Sequence, residues 1–152
     1  MRYFILMLLF SFFVVCKEDD GIDFHVQDDP SISTINGTWR VIAYNEFDTK
    51  KVIEKDSTNS WGLDVIITFD DSGDPAKVSG SVTTNRVMGS FKYINDRSFK
   101  TNGLASTFVA QPEWADRFVD LFSESDLRFE VNQKRLRIFN DQKQLSALLE
   151  KE

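Results

Sequence analysis

A chain of 152 residues is long enough for one domain that carries its own core. Its composition, 41% hydrophobic and 28% charged, is that of an ordinary folded protein, and the formal charge of −6 disfavours nucleic acid or an anionic lipid surface as partner. The single cysteine excludes an internal disulfide, so the fold rests on packing, to which fourteen phenylalanines contribute.

The chain opens with Arg2 and an apolar run over residues 3–15, broken only by Ser11. A helix spanning hydrocarbon needs about twenty such residues, whereas about 7–15 suit the apolar part of a secretory signal peptide. The run ends in Phe13-Val14-Val15-Cys16, without the small residues of an ordinary cleavage site. A cysteine directly after the apolar run resembles bacterial lipoprotein signals, although Val15 stands where that family prefers Gly, Ala or Ser. The resemblance implies removal of residues 1–15 and lipidation of Cys16. Lys17-Glu18-Asp19-Asp20 further resembles the export signal of Bacteroidetes surface lipoproteins. The expected place is therefore the outer membrane or cell surface, with the membrane reached through lipid on Cys16. Residues 16–34 are polar, acidic and aperiodic, and predict a flexible tether. The sole histidine, His25, lies in it and reads as a solvated side chain.

From residue 35 the pattern is mostly period-two. Residues 38–45 alternate Trp39, Val41 and Ala43 against Arg40, Ile42 and Tyr44, a strand covered on both faces. A loop over 48–60 contains a short strand or turn at Val52-Ile53. The β-branched run 63–70 predicts a strand, stopped by the turn residues of "DDSGDP". Strands follow over 77–84, 89–95 and 98–110. Residues 112–125 break the rule, because Trp114, Phe118, Leu121 and Phe122 form one helical stripe, with Pro112 at the first helical position. The period then returns to two. Residues 127–131 and 135–140 form a hairpin with Leu127, Phe129, Val131, Leu136 and Ile138 inward, and 144–151 supplies the closing strand. The expected fold is α+β, mainly antiparallel β: a curled sheet or small barrel of 7–9 strands with one helix before the last three. Trp39, Phe69, Phe91, Phe108 and Phe129 are expected to meet in its core.

Two stretches, "GSVTTNRVMGSF" and "ASTFVAQPEWADRFVDLF", resemble the META-domain, or HslJ-like, family. Gly37 and Trp39 match its opening G-x-W strand. Asn85, Gly89 and Phe91 match its turn motif, while Thr107, Ala110 and Pro112 match its entry into a helix. Many members carry cysteines where this chain has Thr84 and Gln111. The resemblance implies a fold and an envelope compartment, with roles in stress or antibiotic tolerance and no accepted catalytic residues. Read on their own, Gly89 permits positive φ or close backbone approach, and Asn85 bonds its own turn.

The folded region has no histidine, so neither a Ser-His or Cys-His nucleophile nor a His/Cys zinc site is expected. Asp70, Asp71 and Asp74 mimic the start of a calcium loop, but Pro75 replaces its glycine and Ser81 its bidentate glutamate, so no metal site is read there. No catalytic residue, cofactor or metal is expected. The expectation is a monomeric, non-enzymatic, lipid-anchored envelope protein that binds an unknown protein or small molecule. A lipocalin-like carrier and an inhibitor of a secreted enzyme stay open beside it, because Gly37-Thr38-Trp39 also matches the lipocalin G-x-W.

Overall fold

A computed structural model describes residues 22–123 and 126–152; the leader over 1–15 and Cys16 lie outside the described residues. The elements in chain order are β1 (Gly37–Glu46), β2 (Lys51–Glu54), α1 (Ser57–Ser60), β3 (Val65–Asp70), β4 (Ala76–Val82), β5 (Asn85–Asn95), β6 (Ser98–Ser106), α2 (Glu113–Leu121), β7 (Asp126–Val131), β8 (Arg135–Asn140) and β9 (Leu145–Lys151). All pairings are antiparallel, in the order β2-β1-β3-β4-β5-β6-β7-β8-β9. β1 also pairs with β9, which closes every strand but β2 into a barrel. β2 is an extra ribbon on the second half of β1, where β3 has already left that edge. The expected β-rich α+β barrel is the fold observed. It carries a second short helix, α1, which the sequence reading missed: Asp56 caps it through Thr58 and Asn59, while Asn59 returns a bond to Asp56 N–H.

Period-two alternation places Val65, Ile67 and Phe69 of β3 inward, and Leu127, Phe129, Val131, Leu136 and Ile138 likewise, as expected. β1 departs from strict alternation. Its ladder with β9 shifts between Val41 and Ala43, so a bulge at Ile42 turns Tyr44 rather than Ala43 into the core cluster. The interior is aromatic. Phe99 lies 5.9 Å from Phe69, 5.8 Å from Phe91 and 6.1 Å from Phe129 by ring centroid, and Trp39 is 1% exposed.

Both ends of the barrel are shut. At one end the predicted stripe of Trp114, Phe118, Leu121 and Phe122 is buried, together with Ala115, and the Phe122 ring packs against Phe69. The helix is shorter than the predicted 112–125. Pro112 stands before it as the N-cap with extended ψ of 162°, its carbonyl accepting the Ala115 N–H at 2.9 Å. At the other end the chain before β1 is the plug. The tether expected over 16–34 is corrected here for its described part, because Val26 is buried and Ile32 packs on the core. Asp28 Oδ1 accepts the Val131 N–H at 2.9 Å, and Asp28 Oδ2 accepts Arg97 Nε at 2.8 Å. Arg97 also donates to the carbonyls of Asp29 and Ile32, so one guanidinium satisfies the backbone of a segment that has no ladder of its own. Of the acidic residues read as solvating a tether, Asp28 is the partner of this arginine and of the end of β7.

One buried contact is incomplete. Tyr44 and Trp114 pack edge to face at 4.6 Å, and among the described residues neither Tyr44 Oη nor Trp114 Nε1 has a hydrogen-bond partner. An unsatisfied buried hydroxyl costs about 1–3 kcal/mol, so Tyr44→Phe is expected to raise unfolding stability by about 1 kcal/mol in a urea titration. Burial also pushes the Tyr44 phenol well above its ordinary range, with Arg117 partly offsetting. The folded chain then holds this proton longer than the unfolded chain. Its contribution is intact below about pH 10 and is lost as pH rises from there through the raised folded value. The variant removes that part of the alkaline loss and leaves the part from Tyr93, which burial also raises.

Candidate functional site: a cleft between a held loop and the helix

The sequence-matched positions divide between the two ends of the barrel. At the plugged end, Gly37 has a φ of 131°, which a side chain rarely adopts, and lets the chain turn into β1 beside Lys151. Trp39 donates its indole N–H to Ile35 O at 2.8 Å, tying the plug to the barrel. Phe91 is a core residue in edge contact with Phe69 and Tyr93. These three are structural.

At the helix end the positions converge. Asn85, 3% exposed at the start of β5, makes a full set of bonds. Its Nδ2 donates to Val109 O at 2.9 Å and to Gln111 Oε1 at 2.7 Å; its Oδ1 accepts from Thr107 Oγ1 at 3.0 Å and from Val109 N–H at 2.9 Å. Thr107 Oγ1 in turn accepts the Arg86 N–H, and Thr84 Oγ1 donates to Ala110 O. Asn85 thus holds a loop twenty-odd residues away, rather than only the turn it begins. Thr84 and Gln111 both serve this junction through hydrogen bonds. Gly89 has an ordinary φ and is required for close approach: a Cβ there would stand 2.3 Å from Gly103 O.

The held loop lies opposite α2, and a cleft of about 460 Å³ opens between them. It is lined by Asn85 and residues 106–111 on one side and by Asp116 and Val119 on the other. Phe108 is 105% exposed, Val109 57% and Val119 42%. The expectation of Phe108 in the core is corrected, whereas Trp39, Phe69, Phe91 and Phe129 do belong to the core cluster. Residues 107–111 leave the strand pattern because Asn85 draws in both backbone groups of Val109, which turns the neighbouring Phe108 ring outward. Asp116 is the one charged residue of the lining; its Oδ1 accepts Gln111 Nε2 at 2.6 Å. Val119 flanks the buried stripe of α2, one position after Phe118.

The cleft can supply apolar contact, backbone groups and one carboxylate. The other acidic cluster of the sequence reading is a corner: Asp70 Oδ1 accepts the Ser72 N–H, which with the Ser72 hydroxyl holds the Asp70 carboxyl below its usual range. Asp71 bonds Thr34 and Tyr93, and belongs to the plug. Among the described residues no group of three or more His, Cys, Asp or Glu could hold a metal ion. His25 is exposed on the N-terminal segment, where its backbone N–H donates to Asp23. No helix of the described residues is long and apolar enough to cross a membrane.

No family model and no curated protein sequence match the chain. Two solved structures share its fold. A protein from Burkholderia xenovorans, solved by NMR, superposes with a TM-score of 0.64 at 14% identity, over 89% of this chain and 96% of that one. A DUF4847 family protein from Bacteroides vulgatus superposes with a TM-score of 0.53 at 15% identity, over 76% of this chain and 92% of that one. At these identities the likeness is one of fold alone: a small closed antiparallel barrel.

Proposed function

We propose that this chain is a non-enzymatic, lipid-anchored envelope protein, moored through Cys16, whose barrel binds a partner in the cleft between the Asn85-held loop and α2. The observation that carries the reading is the full exposure of Phe108 on a loop held by the four bonds of a buried asparagine. Nothing in the packing of the barrel gains from an outward phenylalanine, and a ring so placed is an anchor for a partner. The packed aromatic interior favours this reading over a lipocalin-like carrier, which needs a hollow barrel. The META-like motif supports it in a further way, since Asn85, Thr107 and Ala110 line the cleft and Pro112 caps the helix opposite, while Gly37, Trp39 and Phe91 hold the body it stands on. The compartment and the stress-related setting come from the lipoprotein and META resemblances.

The anchor has its own test. Each buried methylene contributes about 0.8 kcal/mol, so two or three acyl chains hold a protein to a membrane while one does not. The mature protein is expected to begin at Cys16 with an acylated sulfur, to incorporate labelled palmitate, and to pellet with membranes. Cys16→Ser is expected to abolish the label and release the protein. A Cys16→Ser variant that pellets as before, together with an unlabelled wild type, contradicts the anchor.

A further inference from the structure

Among the described residues β6 is paired on both sides only at Ser98, Phe99 and Lys100, where β7 lies beside it, whereas its ladder with β5 runs as far as Ser106. At Ser106 the element across the cleft is α2, and a helix has no backbone groups to offer sideways. Alternation along the β5–β6 ladder settles which groups are left over. Thr107 N–H donates to Arg86 O, so 86/107 is a hydrogen-bonded pair. Two residues on, Met88 and Ala105 form the next such pair, and the residues between face the other way. The N–H and C=O of Leu104 and Ser106 therefore point to the open side. Among the described residues they have no partner there.

Ser106 is also where the cleft begins. The unpaired edge and the apolar wall of Phe108, Val109 and Val119 are thus one continuous surface. Resting on the reading of this cleft as the binding face, we propose that its occupant is an extended peptide segment that adds to the barrel as a strand along Leu104–Ser106. It sets an apolar side chain against Phe108 and Val119 and a Lys or Arg beside Asp116. The chemistry of the edge selects a strand, because only an extended backbone meets donors and acceptors repeating at every second residue. The carboxylate of Asp116 selects the basic residue. A second copy of this chain is disfavoured as occupant, since each copy carries −6.

The test pans a library of random short peptides against the full chain in detergent and measures an enriched peptide by fluorescence anisotropy. Enriched sequences are expected to alternate apolar and polar residues and to carry a Lys or Arg. Ser106→Pro removes an N–H that the fold does not use and suits an extended residue, so the variant is expected to melt close to the wild type. It is expected to bind about tenfold or more weakly, a difference of about 1.4 kcal/mol. A readout that needs no variant is amide exchange: saturating peptide is expected to slow exchange at Leu104 and Ser106 in the wild-type chain. Binding that falls in Phe108→Ser but not in Ser106→Pro, with exchange at both amides unchanged, overturns strand addition and leaves the cleft as the site. Binding insensitive to both variants overturns the site and the strand together. Failure to enrich any peptide, or a self-associated dimer that Ser106→Pro dissolves, overturns the peptide occupant.

Discussion

Asn85→Ala is expected to lower unfolding stability by about 2–4 kcal/mol and to open the loop over 107–111 without unfolding the barrel. The magnitude follows from asymmetry. Deleting the amide removes four hydrogen bonds at once and leaves Val109 N–H and Val109 O without partners and the Thr107 hydroxyl proton without its acceptor. Amide exchange reads the effect locally, with protection at Val109 lost before protection in β3 or β8 changes. Asn85→Asp separates donor from acceptor. Its carboxylate still accepts from Thr107 and Val109 but donates nothing to Val109 O or Gln111 Oε1, so it is expected to fall between wild type and alanine. An alanine variant as stable as the wild type, with Val109 still protected, would mean that the loop is held by something else.

Phe99→Ala carries the second large effect. The ring is fully buried where four others meet it: Phe69, Phe91, Phe122 and Phe129. Truncating a buried phenylalanine typically costs about 3–5 kcal/mol, and the barrel relaxes poorly around the hole because β6 is bonded on both sides at Phe99, to Tyr93 and to Leu127. The upper part of that range is expected in chemical denaturation, with the slope on denaturant unchanged. A cost under about 1 kcal/mol would indicate a loosely filled interior, which is what a carrier requires. The measurement therefore bears on function as well as on stability.

Much of the barrel was legible because its strands obey a period of two and its one substantial helix does not. Val65, Ile67 and Phe69 announce an inward face by spacing alone, and Trp114, Phe118, Leu121 and Phe122 announce a helical stripe. Closure was not legible. That β1 bonds to both β3 and β9 depends on twist and register, and the bulge at Ile42 reverses which residues of β1 face the core. The segment before β1 misled for a chemical reason. Asp28 reads as a solvated charge, yet its partner Arg97 lies some seventy residues away, and local composition carries no sign of it. Phe108 misled for a related reason. Hydrophobicity argues inward, and only the bonds of Asn85 to Val109, twenty-four positions distant, turn that ring out. Asn85, Thr107 and Ala110 were singled out through a resemblance, but their convergence on one cleft wall, and the free edge of β6 beside it, emerge only in three dimensions.

The claim on which the account rests is that binding takes place on the outer cleft rather than inside the barrel. Its most direct test is a fragment screen by heteronuclear NMR on the isotopically labelled full chain, using small apolar and cationic compounds. The expected shifts cluster at Asn85, residues 106–111, Asp116 and Val119, and vanish in Phe108→Ser. Shifts centred on Val41, Ile67, Phe69 and Phe99, unchanged in that variant, would place the ligand within the barrel and contradict the account.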